Sequence, residues 1–117
     1  MAIESTAIAS TDTNLLLVPG GKSYAVLTIM VCNTEAPNLG HEEHGISNFD
    51  LHLVKSGAAK SNTNMVVRSL ELPAGETFTF DSEKIVLGTG DKISFVAEPD
   101  TGSGNTNLVA TVSYLEV

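Results

Sequence analysis

Apolar and polar residues alternate with a period of two along much of this chain, and almost nowhere with the period of a helix. Phe78 and Phe80 stand between Thr77, Thr79 and Asp81. Ile93, Phe95 and Ala97 alternate with Lys92, Ser94 and Glu98, and Leu108, Ala110, Val112 and Tyr114 alternate with Thr111 and Ser113. Such alternation turns one face of a strand to a core and the other to water.

Turn-forming clusters divide these runs. They fall at Asp12-Thr13-Asn14, Val18-Pro19-Gly20-Gly21, Leu72-Pro73-Ala74-Gly75, Gly88-Thr89-Gly90-Asp91 and Pro99-Asp100-Thr101-Gly102-Ser103-Gly104. Pro presets φ and Gly admits positive φ, so each cluster breaks the chain for a physical reason. The runs between them are rich in Val, Ile, Thr and Phe, which suit a pleated surface. The pattern predicts strands near 3–10, 14–18, 23–32, 49–55, 65–72, 77–80, 84–87, 92–98 and 107–116. Eight or nine short antiparallel strands in 117 residues predict an all-β class and one β-sandwich or jelly-roll-like domain spanning 1–117. Two turns echo each other: Val18-Pro19-Gly20-Gly21-Lys22-Ser23-Tyr24 and Leu72-Pro73-Ala74-Gly75-Glu76-Thr77-Phe78. The same turn leading into a strand accounts for that; two related halves of a sandwich is the other account.

The run 23–32, SYAVLTIMVC, breaks the alternation. Strict period two places Tyr24, Val26, Met30 and Cys32 on one face, and Ala25, Leu27, Ile29 and Val31 on the other. A strand apolar on both faces is covered on both. The second cover is either the chain's own N-terminal segment or another subunit. Leu27, Ile29 and Val31 are therefore candidate subunit contacts, joined by Val109, Leu115 and Val117 on the nominal outer face of the last strand. Cys32, the one cysteine, reads as a small buried hydrophobe and has no partner for an intrachain disulfide.

Charge narrows the partners. Fourteen acidic against six basic residues leave a net charge of −8. A surface that acidic repels phosphate backbones, so nucleic acid is not an expected ligand. No apolar run is long enough to cross a bilayer, and MAIESTAIAS has neither the basic nor the apolar region of a signal peptide.

Candidate chemistry is sparse. The stretch 34–48 is a long surface loop for a compact β domain, and His41-Glu42-Glu43-His44 sets potential metal ligands in it. The i, i+3 spacing, flanked by Gly40 and Gly45, departs from the helical i, i+4 pair of zinc peptidases. His41 and His44 are weak metal candidates, and a solvated polar tip is the simpler reading. Asp50 and His52 share the outward parity of 49–53, which reads as an exposed strand pair. No serine lies in a nucleophile motif, and no helix follows Gly88-Thr89-Gly90 or Gly102-Ser103-Gly104 to cradle a phosphate. No enzyme activity, cofactor or small-molecule ligand is expected.

Four stretches carry a family likeness. They are ESTAIAST, VPGGKSYAVLTIMVCN, LHLVKSGAAKSNTNMVVRSLELPAGETFTFDSEKIVLGTGDKISFVA and the ending NLVATVSYLEV. The cadence is an apolar residue, Pro, small residue, Gly and Lys before a strand ending in Cys-Asn. A Pro-Ala-Gly turn, Leu-x-x-Gly-Asp-Lys-Ile-Ser and Val-Ser-Tyr-Leu-Glu follow. Together these resemble small virion structural proteins of tailed bacteriophages, particularly those of marine and cyanobacterial hosts. The resemblance covers most of the chain through turn-and-strand patterns, and the loop 34–48 looks longer than the family's connection there. It implies a β-sandwich accessory protein of the tail, neck or capsid, assembled in the host cytoplasm. It also implies self-association or packing against other virion proteins, without catalysis. The competing reading is a carbohydrate-binding β-sandwich of a fibre or host-recognition structure. Sugar platforms use aromatic faces, however, and this chain has no Trp, two Tyr and four Phe. A metal-dependent enzyme is the third.

Overall fold

The computed structural model describes residues 2–9, 13–35, 46–80, 85–98 and 108–117. Among them are nine strands: β1 (Ala2–Ala7), β2 (Thr13–Leu17), β3 (Tyr24–Asn33), β4 (Ser47–Val54), β5 (Met65–Leu72), β6 (Thr77–Phe80), β7 (Ile85–Leu87), β8 (Lys92–Glu98) and β9 (Leu108–Glu116). Each falls on a run the alternation predicts, to within a few residues. One short 3-10 turn, Asn62–Asn64, precedes β5.

Two antiparallel sheets face each other. Sheet I has the order β1-β9-β3-β6, with β7 pairing the other end of the same side of β3. Sheet II has the order β2-β8-β4-β5. With β6 and β7 counted as one interrupted strand, the partners are β1 with β9, β2 with β8, β3 with β6–β7, and β4 with β5. The chain is thus one long hairpin rolled up so that its arms fall in two sheets. That is the jelly-roll arrangement, a β-sandwich with inner faces packed together.

The inner rows carry the core. Ile93, Phe95 and Ala97 of β8, Phe49 and Leu51 of β4, and Leu108, Ala110 and Val112 of β9 are buried in one cluster. Phe78 and Phe80 pack on it while half-buried. The echoed turns are alike: Lys22 N–H donates to Pro19 O at 3.3 Å and Glu76 N–H to Pro73 O at 3.1 Å, each with Gly in third place at positive φ. Each turn leads into a strand of sheet I, β3 and β6.

Strict alternation fails within β3. Val26 pairs with Tyr114 and Thr28 with Ser113, so Leu27 is an extra residue at a β-bulge. The bulge resets the parity. Tyr24 and Val26 before it, and Ile29 and Val31 after it, all reach the core, while Ala25, Thr28, Met30 and Cys32 face outward. The expected second apolar face, built on Leu27, Ile29 and Val31, is corrected accordingly. Burying Ile29 and Val31 stabilises the sandwich itself, by about 1.5–3 kcal/mol each. Cys32 is half-buried on the outer side of sheet I, not in the core.

Candidate functional site

Antiparallel register decides which side chains share the outer face of sheet I. Leu115 of β9 lies beside Ala25 of β3, and Ala25 beside Val86 of β7. The next row is Thr28, Ser113 and Ile3, followed by Thr79, Met30, Thr111 and Ser5. The last is Thr77, Cys32, Val109 and Ala7. Among the described residues no Asp, Glu, Lys or Arg stands in these rows, although the chain carries 20 such residues (14 acidic and 6 basic). Ile3 and Val86 are each 69% exposed, and Met30 and Leu115 are exposed as well. The hydroxyls of Ser5 and Thr111 bond each other across β1 and β9 at 3.0 Å. The result is a surface of methyl, thiol, thioether and hydroxyl groups. Depletion of charge is the compositional mark of a protein-interface core.

The candidate contacts from sequence divide across this geometry. Val109 and Leu115 lie on the outer face, and Val117 is exposed just beyond β9, its N–H donating to Ser23 O at 2.9 Å. Leu27 is half-buried at the bulge. Ile29 and Val31 are in the core and unavailable to a neighbour. Sequence reading missed Ile3, Met30, Thr111 and Val86, which come from four separate strands and meet only through register. His41 and His44, with residues 36–45 of the expected loop, lie outside the described residues. The flanks narrow that connection slightly, since β3 runs to Asn33 and β4 begins at Ser47. Among the described residues no three His, Cys, Asp or Glu side chains gather as a metal site requires.

The outer side of sheet II is different. Asn14, Ser94 and His52 lie in one row of paired strands, with Val54 two residues along β4. His52 was expected to be exposed, but it and Ser94 are 2% and 1% exposed, and Val54 is buried outside the main core cluster. The segment after β4 returns over this row and brings Asn64 Oδ1 within 2.8 Å of His52 Nδ1. Asn64 Nδ2 donates to Ala59 O and its Oδ1 accepts Ser61 N–H, so that Oδ1 needs a proton from the ring. The network therefore assigns the Nδ1–H tautomer to His52, with Nε2 bare in the neutral ring. Ser94 Oγ, in register with His52, has no hydrogen-bond partner among the described residues. A serine, a histidine and an asparagine thus lie close, but Ser94 does not bond His52 and neither reaches solvent. Their arrangement ties the 55–64 segment to β4. Beside it lies an open groove of ≈ 400 Å³ between Leu53, Lys55, Ala58, Thr63, Met65 and Val66.

Asp50 is half-buried, and its carboxylate accepts the N–H of Ser69 at 2.7 Å. Ser69 sits at φ 48 where β5 carries an extra residue opposite β4, so this bond holds a strained bulge.

All six aromatic residues, two Tyr and four Phe, turn inward. Phe49 lies 5.9 Å from Phe95 and 5.8 Å from Phe78, ring centre to ring centre. Tyr24 and Tyr114 pack at 4.6 Å and a tilt of 39°. Burial pushes the Tyr114 phenol above its usual range; the nearby Glu4 charge, the Tyr24 ring and a 3.4 Å bond donated to Glu4 Oε1 add to the shift.

In comparison with known proteins, no family model matches this chain and no curated sequence matches it.

Proposed function

We propose that this chain is a non-enzymatic structural protein of a tailed-phage virion, an accessory component of tail, neck or capsid that works by packing against other proteins. The observation that carries the packing part is the outer face of sheet I, which among the described residues bears no charge, on a chain of net charge −8. Elsewhere that charge keeps free subunits apart and soluble, whereas this face meets a neighbour without stranding a charge. The virion part rests on the resemblance in turn and strand motifs, and the jelly-roll order suits it, being common in capsid proteins. That last point is an analogy of fold.

The absence of catalysis is part of the proposal. His52 and Ser94, the nearest thing to a base and a nucleophile among the described residues, are closed to substrate. Carbohydrate binding has less support, because the six aromatic rings lie inward and none offers a stacking platform.

The test is to identify the chain by mass spectrometry in purified particles and to locate it in a reconstruction. The expected density sets the outer face of sheet I against a neighbouring subunit. Particles that lack the protein would overturn the reading. So would a reproducible turnover by the purified protein that His41→Ala or His44→Ala removes.

A further inference from the structure

We infer that the occupant of this face is a second copy of the same chain, packed sheet I to sheet I about a twofold axis. The inference rests on reading the face as a protein-docking surface, and it names the partner.

Three observations carry it. Among the described residues the face carries no charge, so it does not select a partner of opposite charge, and its Thr and Ser hydroxyls act as donors or acceptors in either direction. Such a surface is complementary to itself, as an isologous contact requires. The net charge of −8 repels a second copy from the rest of the molecule, which restricts close approach to the neutral face. Area is sufficient. The strands of sheet I, of six, ten, nine, four and three residues, at about 3.4 Å per residue and about 4.8 Å apart, make about 520 Å² in projection per copy. Two copies give about 1,000 Å² before the relief of the side chains is counted, which meets the roughly 1,000 Å² that a specific contact needs.

The physics sets the sign of the salt dependence. A contact without charge pairs, between two strongly acidic molecules, strengthens as salt screens their repulsion. It also sets the choice of variants. Met30→Lys and Thr111→Lys each put a cation in the middle of the face and lower the overall repulsion, so any loss of association comes from the face itself. Met30 is exposed, and a lysine stem can follow its path out to solvent.

Sedimentation equilibrium of the full chain, at low and raised salt, is the measurement. The expected result is a monomer–dimer equilibrium that tightens with salt and weakens at least tenfold in both lysine variants, with unchanged circular dichroism. Cys32, half-buried in this face, supplies a second readout. Its alkylation should slow as the dimer forms and stay fast in Met30→Lys. A monomer at every concentration, a trimer, a dimer that loosens with salt, or a dimer in which Cys32 reacts at the monomer's rate would each overturn the inference. Particle incorporation separates the two readings. If the wild type is monomeric yet Met30→Lys fails to enter particles, the second copy is wrong and the docking face stands. If the wild type is monomeric and Met30→Lys enters normally, both fall.

Discussion

The side-chain amide of Asn33 donates to the carbonyl of Leu72 at 2.9 Å, fastening the end of β3 in one sheet to the end of β5 in the other. Asn33 is fully buried, and its Oδ1 accepts the N–H of Glu35 at 3.0 Å. Its backbone completes the corner, accepting from Gly75 N–H and donating to Glu76 O. One residue thus joins both sheets to the turn that starts β6.

Asn33→Ala is expected to lower stability by about 1–3 kcal/mol, because the Leu72 carbonyl loses this donor and the Glu35 N–H its acceptor. Asn33→Asp should cost more at neutral pH, since a carboxylate opposes that carbonyl and cannot donate to it. Urea unfolding midpoints check both. A neutral Asn33→Ala would show that water replaces the amide.

Gly90 and Gly20 make a matched pair for backbone effects. Gly90 holds φ 84, and a Cβ there would come within 2.7 Å of Ser56 Cβ and collide with its Oγ, whereas a Cβ on Gly20 meets nothing within 4 Å. The neighbouring Asp91 carboxylate accepts both Ser56 N–H and Gly88 N–H at 2.9 Å, which keeps Ser56 from moving aside. Gly90→Ala should therefore destabilise by more than about 1 kcal/mol and Gly20→Ala by less than about 0.5 kcal/mol. Thermal melts of the two variants measure the difference.

The bulge at Leu27 makes a counterintuitive deletion tolerable. Removing Leu27 leaves Tyr24, Val26 and Ile29 in unbroken alternation on the core side, with Thr28 still outward. The deletion should fold cooperatively, at a cost of about 1–2 kcal/mol for the lost half-buried side chain. Deleting Ile29 instead turns Met30 to the core and Val31 outward, and should abolish folding. Circular dichroism and denaturant titration distinguish the two. An unfolded Leu27 deletion would mean that the bulge is itself a required element.

Tyr114 gives a pH dependence of definite sign. Its phenol is held above the ordinary value by burial first and the Glu4 charge second. A group whose folded pKa is raised contributes stability that is intact below its unfolded value of about 10 and is lost as pH climbs through the folded value. Unfolding should therefore become easier in strong alkali, and Tyr114→Phe should remove part of that dependence. Phenolate absorbance should show one tyrosine ionising with or after the loss of native structure. If Tyr114 titrated at the ordinary value in the folded protein, the burial of this ring would be wrong.

Where the strands lie was legible in the order of residues, because alternation and turn chemistry are local. The same holds for the inner faces of β6, β8 and β9, where polar residues separate most of the inward apolar ones, Val96 and Val109 excepted. The faces of β3 were not legible. A run that is apolar throughout reads the same with or without an inserted residue, and only its pairing with β9 reveals that Leu27 is extra. His52 shows a second limit. Its parity said outward, correctly, but burial came from a segment that folds back over sheet II, and parity carries no record of what lies above a face. The charge-free surface shows the third. Val109 and Leu115 were visible from the last strand alone. Ile3, Met30 and Val86 joined them only because the rolled hairpin sets β1, β3 and β7 alongside or near β9, and the order of strands in a sheet is settled by contacts between residues far apart in the chain.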